Sequence, residues 1–232
     1  MRKKTIGVLG GMGPEATVLF FRRLVELTPA ERDQDHIPII VYNNPQTPDR
    51  TEAVFGRGES PLLALIKGAS ILQKAGSDLI CIPCNTAHVY FSELQAQIDT
   101  PIINLIEVVR EAALRTSSRL RKVGILATKG TVRTGLYQKA FEEINIQSLA
   151  PEGQDLNELQ AAIQHLKRQS KESHTVQRVG ETLVEQGIQA LILGCTELGL
   201  IASELELDVP ILDSVEVLAQ KAVRVALNQE GL

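Results

Sequence analysis

Gly76-Ser77-Asp78-Leu79-Ile80-Cys81-Ile82-Pro83-Cys84-Asn85-Thr86-Ala87-His88 and Gly187-Ile188-Gln189-Ala190-Leu191-Ile192-Leu193-Gly194-Cys195-Thr196-Glu197-Leu198 are one pattern written twice. In each, a glycine closes a helix-like run, an apolar strand follows, and a cysteine stands eight residues after the glycine. Asn and Thr residues suited to opening a helix come next. The repeat extends outward. Ile6-Gly7-Val8-Leu9-Gly10-Gly11-Met12-Gly13-Pro14 parallels Val123-Gly124-Ile125-Leu126-Ala127-Thr128-Lys129-Gly130-Thr131, each a strand, a loop of small residues and then a helix. Gly7 and Gly124, Cys84 and Cys195, and Pro101 and Pro210 keep the same order at nearly constant offset. Strands alternating with helices of this length predict parallel sheets joined by right-handed crossovers. The expectation is an α/β fold of two pseudo-symmetric lobes, each a parallel sheet flanked by helices. Ligands bind beyond the carboxyl ends of such strands, so the two lobes should share a cleft in which Cys84 and Cys195 face each other.

The pattern along the first half predicts strands over 5–9, 37–42, 78–82 and 101–104, with helices from Pro14 to about Leu27 and over 62–75, 87–97 and 106–114. The apolar run 37–42 reads as a strand buried on both faces. Asn43 to Thr51 is polar and proline-rich, a loop of the kind that often builds a site. After a basic, polar seam at 117–122 the second half predicts strands from 123, over 146–149, 190–193 and 209–212, and helices over 135–144, 156–168, 175–185 and 214–227. The last strand mirrors the one after Pro101, so the last helix should cross back to the first lobe. The expected division is 1–104 with 214–232 as one lobe and 105–213 as the other.

The chain has 232 residues, 44% of them hydrophobic and 22% charged, with a formal net charge of −4. Mild acidity and only 3% aromatic residues argue against a nucleic-acid surface, which needs cations and stacking platforms. The sequence shows neither a signal-peptide pattern nor an apolar run near membrane-spanning length, and the expected location is the cytoplasm. Three cysteines are too few for a secreted disulfide framework. The thiols are therefore available for chemistry.

Cys81 lies inside an apolar strand and reads as a buried hydrophobe. Cys84 and Cys195 stand at strand-to-helix turns, where N–H groups can stabilise a thiolate. Cys81-Ile82-Pro83-Cys84 also spells the C-x-x-C of redox and zinc sites, and Cys81, Cys84, His88 and Cys195 would suffice as zinc ligands. Against that, residues three apart on an extended segment point to opposite sides. Gly11-Met12-Gly13-Pro14-Glu15-Ala16 fits a G-x-G-x-x-A dinucleotide fingerprint, but Asn43 and Asn44 stand where its confirming acid belongs. The alternative is that this loop's N–H groups bind a smaller anion such as a carboxylate. His36, His165 and His174 fall in polar surroundings. His88 reads equally as a capping residue or as one that tunes Cys84.

Two facing thiols suit inversion of a carbon centre, which needs a base on one face and an acid on the other. A free thiol titrates near enough to neutrality to serve in either role. Each sulfur would sit about 3–3.5 Å from the reacting carbon, placing the pair roughly 6–7 Å apart.

With these residues in view, the chain resembles the aspartate/glutamate racemase family, the amino-acid racemases that use neither pyridoxal phosphate nor metal. The resemblance covers nearly the whole length. It rests on Ile6 to Glu15, on Asn44-Pro45-Gln46-Thr47-Pro48-Asp49-Arg50-Thr51, on Pro83-Cys84-Asn85-Thr86-Ala87-His88 and on Leu193-Gly194-Cys195-Thr196-Glu197-Leu198, and it is strongest toward aspartate racemases. It implies that Cys84 and Cys195 are the catalytic acid/base pair. It further implies that Asn85, Thr86, Thr128 and Thr196, with backbone of Gly11 and Met12, bind the α-carboxylate and amino group. Arg50 would fork the side-chain carboxylate. A second-lobe lysine assists in some members; Lys167 is the nearest match, in a local pattern that departs from the usual one. Relatives acting on glutamate in the cell wall carry His where this chain has Glu197, and related decarboxylases lack one cysteine. The resemblance therefore implies a cofactor-free, metal-free aspartate racemase, homodimeric, with a small amino acid as its partner. Glutamate or broader specificity, and a non-catalytic acidic amino-acid binder, stand as alternatives.

Overall fold

The structure, a computed structural model, describes residues 2–168 and 173–231. In the first half β1 (Ile6–Gly10) leads into α1 (Pro14–Leu27), β2 (Ile39–Asn43), α2 (Arg50–Val54), α3 (Leu62–Lys74), β3 (Leu79–Cys81), α4 (Phe91–Gln95) and α5 (Leu105–Thr116). The second half runs β4 (Lys122–Leu126), α6 (Lys129–Thr134), α7 (Leu136–Glu142), β5 (Gln147–Leu149), α8 (Gly153–Lys167), α9 (Ser173–Glu185), β6 (Ala190–Leu193), β7 (Ile211–Asp213) and α10 (Ser214–Ala226). Two all-parallel sheets result, ordered β2-β1-β3 and β5-β4-β6-β7. The order is the same in both halves, because Ile102 pairs beside β3 where β7 pairs beside β6. The repeat in the sequence is thus a repeat in topology.

Alternation along the strands builds the layers. Ile6, Val8, Leu79 and Cys81 of one sheet and Val123, Ile125, Ala190 and Ile192 of the other share a core with Phe20 and Leu24 of α1, Val109 of α5, Phe141 of α7 and Leu218 and Ala222 of α10. The intervening residues face outward: Leu9, Ile80 and Ile82 pack with Leu65, Ala69 and Leu72 of α3. Leu126, Leu191 and Leu193 pack with Ile163 of α8 and Val179 and Leu183 of α9. Both faces of the central strands are therefore buried, as helix-covered parallel sheets require. The last helix packs on α1 and α5, so the chain's end lies against the first half.

Several elements differ from the pattern-based expectation. β2 is an edge strand with Val41 41% exposed, not one buried on both faces; a continuous apolar run does not distinguish edge from centre. The segment expected as a helix over 87–97 is a 3-10 turn, Thr86–Tyr90, followed by the short α4. Residues 101–104 make only a single bridge. The helix expected over 135–144 is α7, but a further short helix, α6, precedes it where only a loop was expected, the two divided at Gly135, whose φ of +66° lies in the left-handed region. Within the expected loop, Asp49 caps α2 by accepting from the Glu52 N–H at 2.9 Å. No helix among the described residues is long and apolar enough to cross a membrane.

One cap carries a pH-dependent cost. Asp213 caps α10 by accepting from Val215 N–H at 2.9 Å, and burial raises its carboxyl to about 6. Since that is above its unfolded value, the stability held below pH 4 is lost as pH rises through 6. Asp213→Asn keeps the cap and removes the charge. The variant should match wild type near pH 4 and exceed it at pH 7 by up to about 3 kcal/mol, read from thermal unfolding at the two pH values.

Candidate active site

Both cysteine turns come off central strands and meet in one small cavity. Its walls are Met12, Asp49, Arg50, Thr51, Cys84, Asn85, Thr86, Thr128, Lys167, Cys195, Thr196 and Glu197. Each cysteine is followed by a five-residue 3-10 turn, Thr86–Tyr90 and Thr196–Leu200, and both thiols are free and buried. The enclosed free volume is about 20 Å³, room for about one water. A larger chamber of about 460 Å³ adjoins it and shares Asp49, Thr51, Thr128 and Lys167.

Every residue that the resemblance assigns to the substrate site or the acid/base pair lines this cavity except Gly11. The Gly11 N–H donates to Thr17 Oγ1 at 2.9 Å. The Gly13 N–H of the same loop does hold a carboxylate, but an internal one: it donates to Glu197 Oε1 at 3.1 Å. Arg50 is almost fully buried. Nη1 donates to the carbonyls of Thr47 and Pro48 at 3.1 and 3.0 Å, and Nη2 to that of Met12 at 3.2 Å. Its Nε has no partner among the described residues, which leaves that N–H for an acceptor in the cavity the residue lines.

Cys195 donates from Sγ to Glu197 Oε2 at 3.0 Å, and Lys167 Nζ pairs with Glu197 Oε1 at 3.0 Å. Burial, and then the Glu197 charge, push the Cys195 thiol well above its ordinary range. Burial alone would raise the Glu197 carboxyl, but the Lys167 ammonium and the hydrogen bond from Cys195 together outweigh it and the acid is held low. Lys167 itself is lowered by burial and raised more by Glu197 and by both cysteines, so it stays charged beside the two sulfurs. The resting arrangement is a protonated Cys195 on an ionised Glu197. Opposite, three buried hydroxyls close a triangle: Thr86 to Thr131 at 2.7 Å, Thr86 to Thr128 at 3.1 Å and Thr128 to Thr131 at 3.1 Å. Thr128 also caps α6 by accepting from Thr131 N–H.

The other cysteine readings resolve locally. Cys81 belongs to the inter-sheet core and Cys84 to the outer cluster and cavity, so the C-x-x-C sulfurs face opposite sides. Burial raises the Cys81 thiol far out of the reactive range. His88 bonds through Nδ1 to the Cys84 carbonyl at 2.9 Å and accepts from Leu105 N–H on Nε2 at 3.1 Å. Both nitrogens are occupied, and burial lowers its pKa; His88 is a neutral brace between the Cys84 turn and α5, not a partner of the thiol. No group of three or more His, Cys, Asp or Glu among the described residues is arranged to hold a metal ion.

The family described as Asp/Glu/Hydantoin racemase matches residues 9–222. The chain belongs to that family. The broad specificity amino-acid racemase of Bacillus subtilis (strain 168) is 32% identical over 235 residues, spanning 97% of this chain and 100% of the relative. The aspartate racemase of Picrophilus torridus has the same fold with a TM-score of 0.80 at 34% identity, over 96% of this chain and 94% of that one. A glutamate racemase of Aquifex pyrophilus is 33% identical over 158 residues, 65% of this chain and 59% of the relative. An isomerase fold with two parallel sheets is thereby established, while the substrates of these relatives differ.

Four wall or near-wall residues escaped the sequence reading of this racemase family member, among them Asp49, the cap of α2. Glu197 was legible only as a departure from histidine, although an acid two residues past a cysteine is itself a signal. Thr131 stands three residues after Thr128, the spacing of a capping pair. Thr51 is fixed by a close approach: a Cβ on Gly130 would lie 2.7 Å from Thr51 Oγ1 and 3.0 Å from its Cα. Gly130→Ala must push α2 away from α6 and take Arg50 with it. A loss of stability of about 1–3 kcal/mol is expected, with a larger proportional fall in turnover than Ala at the exposed Gly56 position causes; unfolding curves and initial rates compare the two.

Proposed function

We propose that the chain is a cofactor-independent racemase that interconverts L- and D-aspartate by a two-base mechanism. The observation that carries this reading is the presence of Cys84 and Cys195 in the wall of one buried cavity with two cations, Arg50 and Lys167. Cys84 as thiolate takes the α-proton, breaking C–H and forming S–H, while the electron pair moves into the α-carboxylate. Cys195 then gives its proton to the opposite face of Cα. In the reverse direction the sulfurs exchange roles. The developing charge meets preorganised donors rather than water: the Asn85 amide, the Thr86, Thr128 and Thr196 hydroxyls, and the Lys167 ammonium. The Nε–H of Arg50 suits the distal carboxylate. Substrate reaches the thiols from the adjoining chamber, which shares Asp49, Thr51, Thr128 and Lys167 with the cavity.

The whole-length similarity to a broad specificity racemase supports a second reading, in which other amino acids are also accepted. One methylene separates aspartate from glutamate, a difference of only about 1–3 kcal/mol in a pocket. Proton NMR in D₂O with chelator and reductant, and no added cofactor, tests both. The α-proton signal of L-aspartate should disappear as D-aspartate forms, faster than for glutamate or neutral amino acids. Equal rates across the panel would favour the broader reading, and no exchange with any amino acid would remove racemisation.

A further inference from the structure

The Asn85 amide is held from both sides by residues that do not line the cavity. Tyr137 Oη donates to Asn85 Oδ1 at 2.5 Å, and Asn85 Nδ2 donates to Ser214 Oγ at 3.1 Å; Asn85 is 2% exposed. Tyr137 comes from α7 in the second half, Asn85 from the turn after Cys84 in the first, and Ser214 opens α10. A phenol donates far better than it accepts, so its partner is the amide oxygen. Burial holds the Tyr137 hydroxyl above its ordinary range, with Cys195 and Asp213 adding to the effect, so it remains a donor. The same ring covers the other cysteine turn, since a Cβ on Gly194 would lie 3.0 Å from Tyr137 Cε2. One amide N–H of Asn85 is left without a protein acceptor among the described residues, on a side chain that lines the cavity.

We infer that Tyr137 and Ser214 are positioning residues that lock the Asn85 amide, so that its remaining N–H is presented to a substrate carboxylate in register with both cysteine turns. The inference rests on the racemase reading for the ligand and on hydrogen-bond geometry for the lock. Without the phenol, nothing fixes which end of the amide faces the cavity. The preorganised donor then becomes one that must reorganise during the reaction.

The test is a double-mutant cycle on α-proton exchange, with kcat and KM measured for wild type, Tyr137→Phe, Ser214→Ala, Asn85→Ala and the Asn85 doubles. Each hydroxyl removal should lower kcat/KM by about 10-fold, the worth of one or two hydrogen bonds. In the Asn85→Ala background neither should lower it further. Independent multiplication of the losses, or wild-type kcat/KM in Tyr137→Phe whatever its melting temperature, would overturn the inference. If the wild-type protein exchanges no amino acid, the racemase reading has failed. The Asn85 side-chain amide resonances of ¹⁵N-labelled protein then decide the lock: they should shift in both hydroxyl variants, and unchanged resonances in both would overturn it.

Discussion

Cys195→Ser is expected to leave one enantiomer of aspartate exchanging its α-proton with solvent while inversion falls by about 10³-fold or more. Cys84, still a competent base, removes the α-proton from the enantiomer that presents it to that face. With no acid opposite, the proton returned is a solvent-derived one on the same face. Cys84→Ser should show the mirror result, exchanging only the other enantiomer. Chiral chromatography separates inversion from exchange, and NMR in D₂O measures the exchange. Both cysteines are buried in the cavity wall, and serine is close in size, so thermal unfolding should change little. Full inversion in either variant, or exchange of both enantiomers in one of them, would be incompatible with two opposed bases.

The second large effect concerns Glu197, whose carboxylate joins Cys195, Lys167 and the Gly13 N–H. Cys195 must be protonated to act as the acid, and it loses that role as pH rises through its pKa. Burial and the Glu197 charge both push that pKa up, while Lys167 pulls it down. Glu197→Gln removes the negative charge and leaves the ammonium uncompensated, so the Cys195 pKa must fall. The alkaline limb of the kcat/KM profile should move to lower pH by about one unit or more. On that limb, above the variant's own midpoint, a shift of about one unit corresponds to a loss of about 10-fold relative to wild type. Rates measured from pH 6 to 10 test the direction as well as the size; a limb that stays in place would mean that Glu197 does not govern the thiol.

The parts of the site visible in the sequence are those that repeat or stand in compact motifs. Cys84 and Cys195 declared themselves by equivalent positions after equivalent strands, while the polar, proline-rich loop marked a candidate region in which only the family resemblance singled out Arg50. Lys167 was a weaker case, since nothing in its local pattern marks it out, and its place in the wall depends on where α8 ends. Gly11 is the converse case. A glycine loop before a helix suggests anion binding, but only the packed structure reveals that Thr17 takes one N–H and Glu197 the other.

The parallel α/β character of each half and the repeat of one topology in the other were determined by the sequence, because they follow from local periodicity and from a repeat that topology must respect. Tertiary structure alone decided which face of β2 meets solvent, since edge and centre depend on neighbours far along the chain. It alone decided that His88 braces a turn, that Tyr137 reaches Asn85, and that Glu197 accepts a hydrogen bond from the Cys195 thiol while paired to Lys167. These are contacts across large sequence separations, where burial removes water and each polar group must find whatever partner the packing supplies.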